Sequence, residues 1–299
     1  MKNIFKNILA LLVFITTLAC ESPVEDAALP YEPKLVVHGY LSPGLAANLI
    51  YIGSNRPVLG ITNEYYNQQP HVMIKNIKVT ITNSKGEKIE GNPTTNNMYQ
   101  EYEFMFGKAR LPIIKGETYT LNVTADNYPS VQATCTVPSN TLDIENTLLN
   151  IKRSKRDENN DVITANLKIP EENLKDSFYA YSGILSTIPK NSPNNIINQK
   201  QLEEMYISKE DVLLDRIQYK EDYVPNGTAN DINFNFFLEI SLSTVDENIY
   251  KYAKSVKSSS KNDDNPFAEP VQIYSNIKGG IGVFGAYLKH PSKIFELKN

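Results

Sequence analysis

The chain has 299 residues, of which 41% are hydrophobic and 21% charged, with a formal net charge of −4. That length suits one large or two ordinary domains. The acidic balance argues against nucleic acid as a partner, because phosphate binding needs basic surface.

The first nineteen residues differ in kind from the rest. Lys2 and Lys6 give a short basic region, and Ile8 to Leu18 form an apolar run broken only by Thr16 and Thr17. A membrane-spanning helix needs about 20 apolar residues, so this run is too short to cross comfortably. A basic start, a short apolar middle and a small residue at the break are the marks of a secretory signal peptide over 1–19. The run ends at Thr17-Leu18-Ala19-Cys20, which resembles the lipobox of bacterial lipoproteins, with Thr17 standing where Leu is usual. On that reading Cys20 is acylated and becomes the first residue of the mature chain. Several acyl chains hold a globular body firmly, since each buried methylene is worth about 0.8 kcal/mol. Residues 20–33 are polar, acidic and proline-bearing, and read as a flexible tether.

From Lys34 the main signal is apolar residues recurring at every second position. Strands are expected at Lys34–Leu41, Leu49–Ile52, Asn76–Thr82, Lys88–Glu90, Met98–Phe104, Thr118–Ala125 and Val131–Val137. About seven short strands separated by turn residues suit an Ig-like β-sandwich over 34–138. Cys135 lies in the alternation Val131, Ala133, Cys135, Val137 and is expected to be a small core residue.

A boundary is expected near Pro138 to Leu142, with a second β-rich domain over 142–299. Val162–Ile169 and Ile232–Leu242 alternate, Phe178–Leu185 is a further strand candidate between them, and Lys190–Lys200 reads as a loop. One amphipathic helix is expected near 245–257, with an apolar stripe of Val245, Ile249, Tyr252, Ala253 and Val256. Thr244 and Glu247 have capping-box spacing at its start. Val271–Ile277, Ile281–Leu288 and Lys293–Leu297 are further strand candidates. The fold class is therefore mainly β.

Motifs for chemistry are few. Gly280-Ile-Gly282-Val-Phe-Gly285 matches the dinucleotide-binding glycine pattern, yet no βαβ unit surrounds it, so the glycines read as a bend or a close backbone approach. His38, His71 and His290 lie far apart and do not form a metal-binding spacing. Asp157, Asn159 and Asp161 start like a calcium loop, but Val162 replaces the required Gly and Lys168 the closing Glu, so a charged turn is expected. Tyr65, Tyr66, Tyr179, Tyr181, Tyr250 and Tyr252 are candidates for an amphipathic binding surface or for strand and core filling. No nucleophile elbow, P-loop or zinc-helix motif occurs, so no catalytic residue, cofactor or metal is assigned.

Five segments resemble one family. They are Leu18-Ala19-Cys20-Glu21, Lys34-Leu35-Val36-Val37-His38-Gly39-Tyr40-Leu41, Gly116-Glu117-Thr118-Tyr119-Thr120-Leu121, and Ala133-Thr134-Cys135-Thr136-Val137-Pro138. The fifth is Asn265-Pro266-Phe267 followed by Ser275 to Gly285. The chain resembles a Bacteroidota outer-membrane lipoprotein family known as domain of unknown function 4249. That resemblance implies an outer-membrane lipoprotein of a kind often encoded beside TonB-dependent transporters, and it brings no catalytic residues. The expected function is a non-catalytic accessory or binding protein, lipid-anchored at the outer membrane and working with a TonB-dependent transporter; the alternative is a surface glycan binder or glycoside hydrolase-like enzyme. Asn265, Pro266, Phe267, Asn276, Gly279, Gly280, Gly282 and Phe284 are the candidate interface residues.

Overall fold

The computed structural model describes residues 32–55, 74–94, 102–139, 148–155, 161–168, 178–190, 196, 198–208, 218–223, 234–262, 269 and 271–297. All described elements fall in the unit made of Lys34–Asn55 and His71–Asn299. In chain order the first strands are β1 (Leu35–Leu41), β2 (Ala47–Ser54), β3 (Lys78–Thr82), β4 (Lys88–Glu90), β5 (Asn92–Pro93) and β6 (Tyr102–Gly107). Then come β7 (Thr118–Thr124), β8 (Val131–Thr136), β9 (Leu148–Lys155), β10 (Asp161–Lys168), β11 (Phe178–Pro189) and β12 (Asn198–Gln201). The chain continues through β13 (Met205–Ser208), β14 (Gln218–Tyr223), β15 (Phe234–Val245), helix α1 (Glu247–Asn262), β16 (Ile281–Lys289) and β17 (Lys293–Leu297). The protein is mainly β, as its alternation predicts.

Three sheets form. One runs β12-β11-β15-β16-β1-β2-β6-β5, with β13 also on β11 and β17 also on β15. A second runs β4-β3-β7-β8, and a third β14-β10-β9. The pairing of β1 with β16 is parallel, Val36 opposite Ile281 through Leu41 opposite Ala286. One sheet thus joins strands on both sides of the Pro138–Leu142 segment.

Alternation decides which side of each strand is buried. Leu35, Val37 and Leu41 of β1 point inward, as do Val79 and Ile81 of β3, Leu121 and Val123 of β7, and Cys135 of β8. These residues form one apolar core between the first two sheets. Ile277, Phe284 and Ala286, from far along the chain, complete the same core. Cys135 is a free, buried cysteine; burial pushes its thiol well above the ordinary range, which keeps it protonated and poorly nucleophilic. Tyr119, fully buried in β7, ties down the approach to its own strand. Its hydroxyl donates to the Pro112 carbonyl at 3.0 Å and accepts the Ile114 N–H at 2.9 Å.

Three sequence expectations need correction. The end of the expected Lys190–Lys200 loop is strand β12, whose Asn198–Lys200 take up main-chain pairing with Leu185–Thr187 of β11. Val271–Ile277 is not a strand. Side chains take its main-chain donors: Tyr274 N–H bonds Ser255 Oγ at 2.9 Å, and Ile277 N–H bonds Ser275 Oγ at 3.2 Å. The helix cap is Asp246 rather than Thr244. Asp246 Oδ1 accepts the Ile249 N–H at 3.0 Å, satisfying one of the donors a helix start leaves open. Thr244 is still in β15 and uses its hydroxyl elsewhere.

That other use lies at a break in the sheet. β15 pairs with β16 at Ser243–Lys289 and with β17 at Ile240–Lys293, so the register slips by one residue between them. Strands β16 and β17 are one path interrupted by a bulge at His290-Pro291-Ser292. A proline explains the break, because it has no N–H to give to a ladder. His290 turns inward, 4% exposed, and its Nε2 meets Thr244 Oγ1 at 2.8 Å.

Candidate functional site

The expected interface residues fall into two groups. Cys20, Asn265, Pro266 and Phe267 lie outside the described residues, as do Asp157, Asn159, Tyr65, Tyr66 and His71. Asn276, Gly279, Gly280, Gly282 and Phe284 come together as a seam between the first two sheets. Lys278 exchanges both main-chain hydrogen bonds with Gln132 of β8, at 2.8 and 3.0 Å. Three residues later the chain has crossed to pair with β1.

The crossing is tight enough to require glycine. Gly279 and Gly282 have φ of 79° and 113°, where L side chains are strained. A Cβ on Gly279 would strike the Ser130 carbonyl oxygen, and one on Gly282 the Val37 carbonyl oxygen. A Cβ on Gly280 would meet the Leu35 carbonyl oxygen less closely, at 2.7 Å. Asn276 secures the seam by donating to the Phe284 carbonyl at 2.8 Å, accepting the Phe284 N–H at 3.0 Å, and reaching the Thr134 carbonyl at 3.2 Å. These contacts are made within the chain itself, and Phe284 is fully buried.

A concave site lies on the outer face of the large sheet, with a volume of about 540 Å³. Its geometry follows from register. Tyr206, Ala180, Ser243 and Lys289 stand in one row across β13, β11, β15 and β16. Ser182 faces Ser241 in the next row, and Ile184 faces Gln201 beyond it. Small side chains occupy the two middle strands and larger ones the flanking strands. The result is a groove with a serine and alanine floor. Tyr206, Glu204 and Gln201 form one bank; Tyr40, Tyr287 and Lys289 form the other. Ile249 of α1 closes one end, packed on Ala180 and Val245.

Electrostatics set the state of the bank hydroxyls. Burial pushes the Tyr40 hydroxyl up to about 12, with Tyr252, Glu204 and Asp246 adding to the rise. Tyr206 is raised by burial and by its 2.7 Å hydrogen bond to Glu204. Burial also raises Tyr287, partly offset by a hydrogen bond with Ser42. All three stay protonated near neutral pH and can donate as well as accept. The Glu204 carboxylate acts on each of them, so it sits within reach of both banks.

The tyrosines singled out in the sequence have other duties. Tyr179 and Tyr181 are buried. Tyr250 stacks on Phe178, with ring centroids 4.5 Å apart. Tyr252 bonds His38 Nε2 at 3.0 Å, so that half-buried histidine has a partner. The groove residues were not expected. The signal was present in β15, where Ser241 and Ser243 alternate with Ile240 and Leu242, but only pairing with β11 and β16 shows that they floor a concavity. Among the described residues no group of three metal-ligating side chains gathers.

The family described as "Domain of unknown function (DUF4249)" matches residues 20–292. The chain belongs to the DUF4249 family. No curated protein matches it. Among solved structures this DUF4249 chain is similar to a DUF4785 family protein from Legionella pneumophila, at 12% identity and a TM-score of 0.24, covering 71% of this chain and 52% of that one. It is also similar to the Group B Streptococcus pullulanase SAP, at 10% identity and a TM-score of 0.20, covering 69% and 22%. A third is a Salmonella alpha-2-macroglobulin, at 10% identity and a TM-score of 0.26, covering 93% and 15%. The match thus spans about half of the Legionella protein and smaller shares of the other two.

Proposed function

We propose that this chain is a lipid-anchored outer-membrane binding protein, held through acylated Cys20, that captures a ligand in the tyrosine-banked groove and works with a TonB-dependent transporter. The groove carries the reading. It is concave, partly apolar and lined by a few convergent polar groups, the ordinary character of a ligand site. The leader and Thr17-Leu18-Ala19-Cys20 support the anchor, and the acidic, proline-bearing 20–33 stretch supports a tether. The transporter enters through what DUF4249 membership implies for its neighbours.

We read the body around β1 to β8 as Ig-like. The order β1-β2-β6-β5 against β4-β3-β7-β8 follows the A-B-E-D and C′-C-F-G arrangement of that fold. Tyr119, bonded back to Pro112, supports it as a tyrosine corner.

Binding without chemistry is favoured over the glycoside hydrolase-like alternative. Glycoside hydrolysis ordinarily takes two carboxyl groups about 5 to 9.5 Å apart across the bond. Among the described residues Glu204 is the one carboxylate on the groove. Affinity capture of a tagged full chain from gently solubilised membranes tests the reading. Repeated co-recovery of a TonB-dependent transporter is expected; recovery of the lipoprotein alone would sink it.

A further inference from the structure

We propose that the groove takes a short peptide with free ends, its ammonium directed to Glu204 and its carboxylate to Lys289. The proposal rests on reading the groove as a capture site and adds the class of ligand. Glu204 and Lys289 stand on opposite banks, both exposed, and neither forms an ion pair among the described residues. Strands β13 and β16 are three strand spacings apart, about 14 Å between backbones. Both residues line the groove, so the space between their charged ends is narrower than the backbone span and takes roughly two to three extended residues at about 3.4 Å each. Ser182, Ser241 and Ser243 offer hydroxyls along the floor where the ligand's amides would lie. Ile184 and Ile249 are apolar patches for its side chains. A ligand of one charge would meet one attractive and one repulsive bank; a zwitterion complements both.

The test is calorimetry on the full chain in detergent, with trialanine, N-acetyl-trialanine, trialanine amide and maltotriose as probes. Trialanine is expected to bind saturably, and blocking either end is expected to weaken it at least about tenfold, as for a lost charge-assisted hydrogen bond. Glu204→Gln should erase the preference for a free amino end while keeping the preference for a free carboxylate; Lys289→Met should do the reverse. Unchanged melting temperatures show that both exposed-site variants fold. Equal binding of blocked and free trialanine, no saturable trialanine binding, or binding of maltotriose alone would each overturn the ligand class. Transporter co-recovery is read separately. If it persists while trialanine fails, only the ligand class falls; if it fails while trialanine binds, the transporter reading falls and the peptide site stands.

Discussion

Thr244 and His290 meet 2.8 Å apart at the bulge where β16 gives way to β17, and this buried pair ties the long strand β15 to the interrupted strand beside it. Burial, reinforced by Lys115, lowers His290 to about 4. The folded state thus prefers the neutral ring, while the unfolded chain takes up a proton near 6.5. Stability from this group is fully present above pH 6.5 and is lost as pH falls from 6.5 toward 4. Asp246 works in the opposite sense. Burial raises it to about 6 against the bonds from Ile249, Ala286 and Asn248, so acidification between 6 and 3.8 favours the folded state. Denaturant titrations at stepped pH should show Asp246→Asn losing stability more steeply than the parent between pH 6.5 and 4, and His290→Gln less steeply. Parallel profiles for all three proteins would refute the assignment.

Asn276→Ala should destabilise the chain by about 2 to 4 kcal/mol in urea titration. It removes one side chain that satisfies the N–H and carbonyl of Phe284, and an orphaned buried polar group costs about 1 to 3 kcal/mol. Asn276→Asp should not restore stability, because a carboxylate has no donor for the Phe284 carbonyl.

Gly282→Ala should cost more than Gly86→Ala. Both glycines have positive φ, but nothing lies within 4 Å of a Cβ on Gly86, whereas one on Gly282 meets the β1 backbone. Strain alone is worth about 1 to 2 kcal/mol, and overpacking typically adds about 1 to 3 kcal/mol. Thermal melts of the two variants compare them directly, and equal losses would contradict the close approach.

Tyr119→Phe keeps the ring in the core and deletes only the hydroxyl between Pro112 and Ile114. A loss of about 1 to 3 kcal/mol is expected, with unchanged far-ultraviolet circular dichroism.

If the proposed anchor holds, Cys20→Ser should shift the protein from the membrane to the soluble fraction, because the acyl chains would supply the binding energy. Unchanged fractionation would remove the anchor from the proposal.

Much of the strand content was legible in the residues. Period-two alternation marked β3, β7, β8 and β15, because a half-buried strand must send every second side chain inward, and apolar, β-prone composition marked β1. The stripe of Ile249, Tyr252 and Ala253 likewise marked α1. What the local pattern left out were elements whose partners are remote. Val271–Ile277 alternates like a strand, yet the side chains of Ser255 and Ser275 hold its main chain. Met205–Ser208 is a four-residue strand that exists because β11 lies beside it.

The sequence by itself determined a mainly β body, a buried Cys135 and glycines marking a close approach near 280, because composition and short-range periodicity are properties of neighbouring residues. Only the tertiary structure decided that residues 276–286 complete the core begun at Leu35, and that Tyr40, Tyr206 and Tyr287 bank one groove. Strand order and register bring together side chains more than 200 positions apart, and no local spacing encodes that choice.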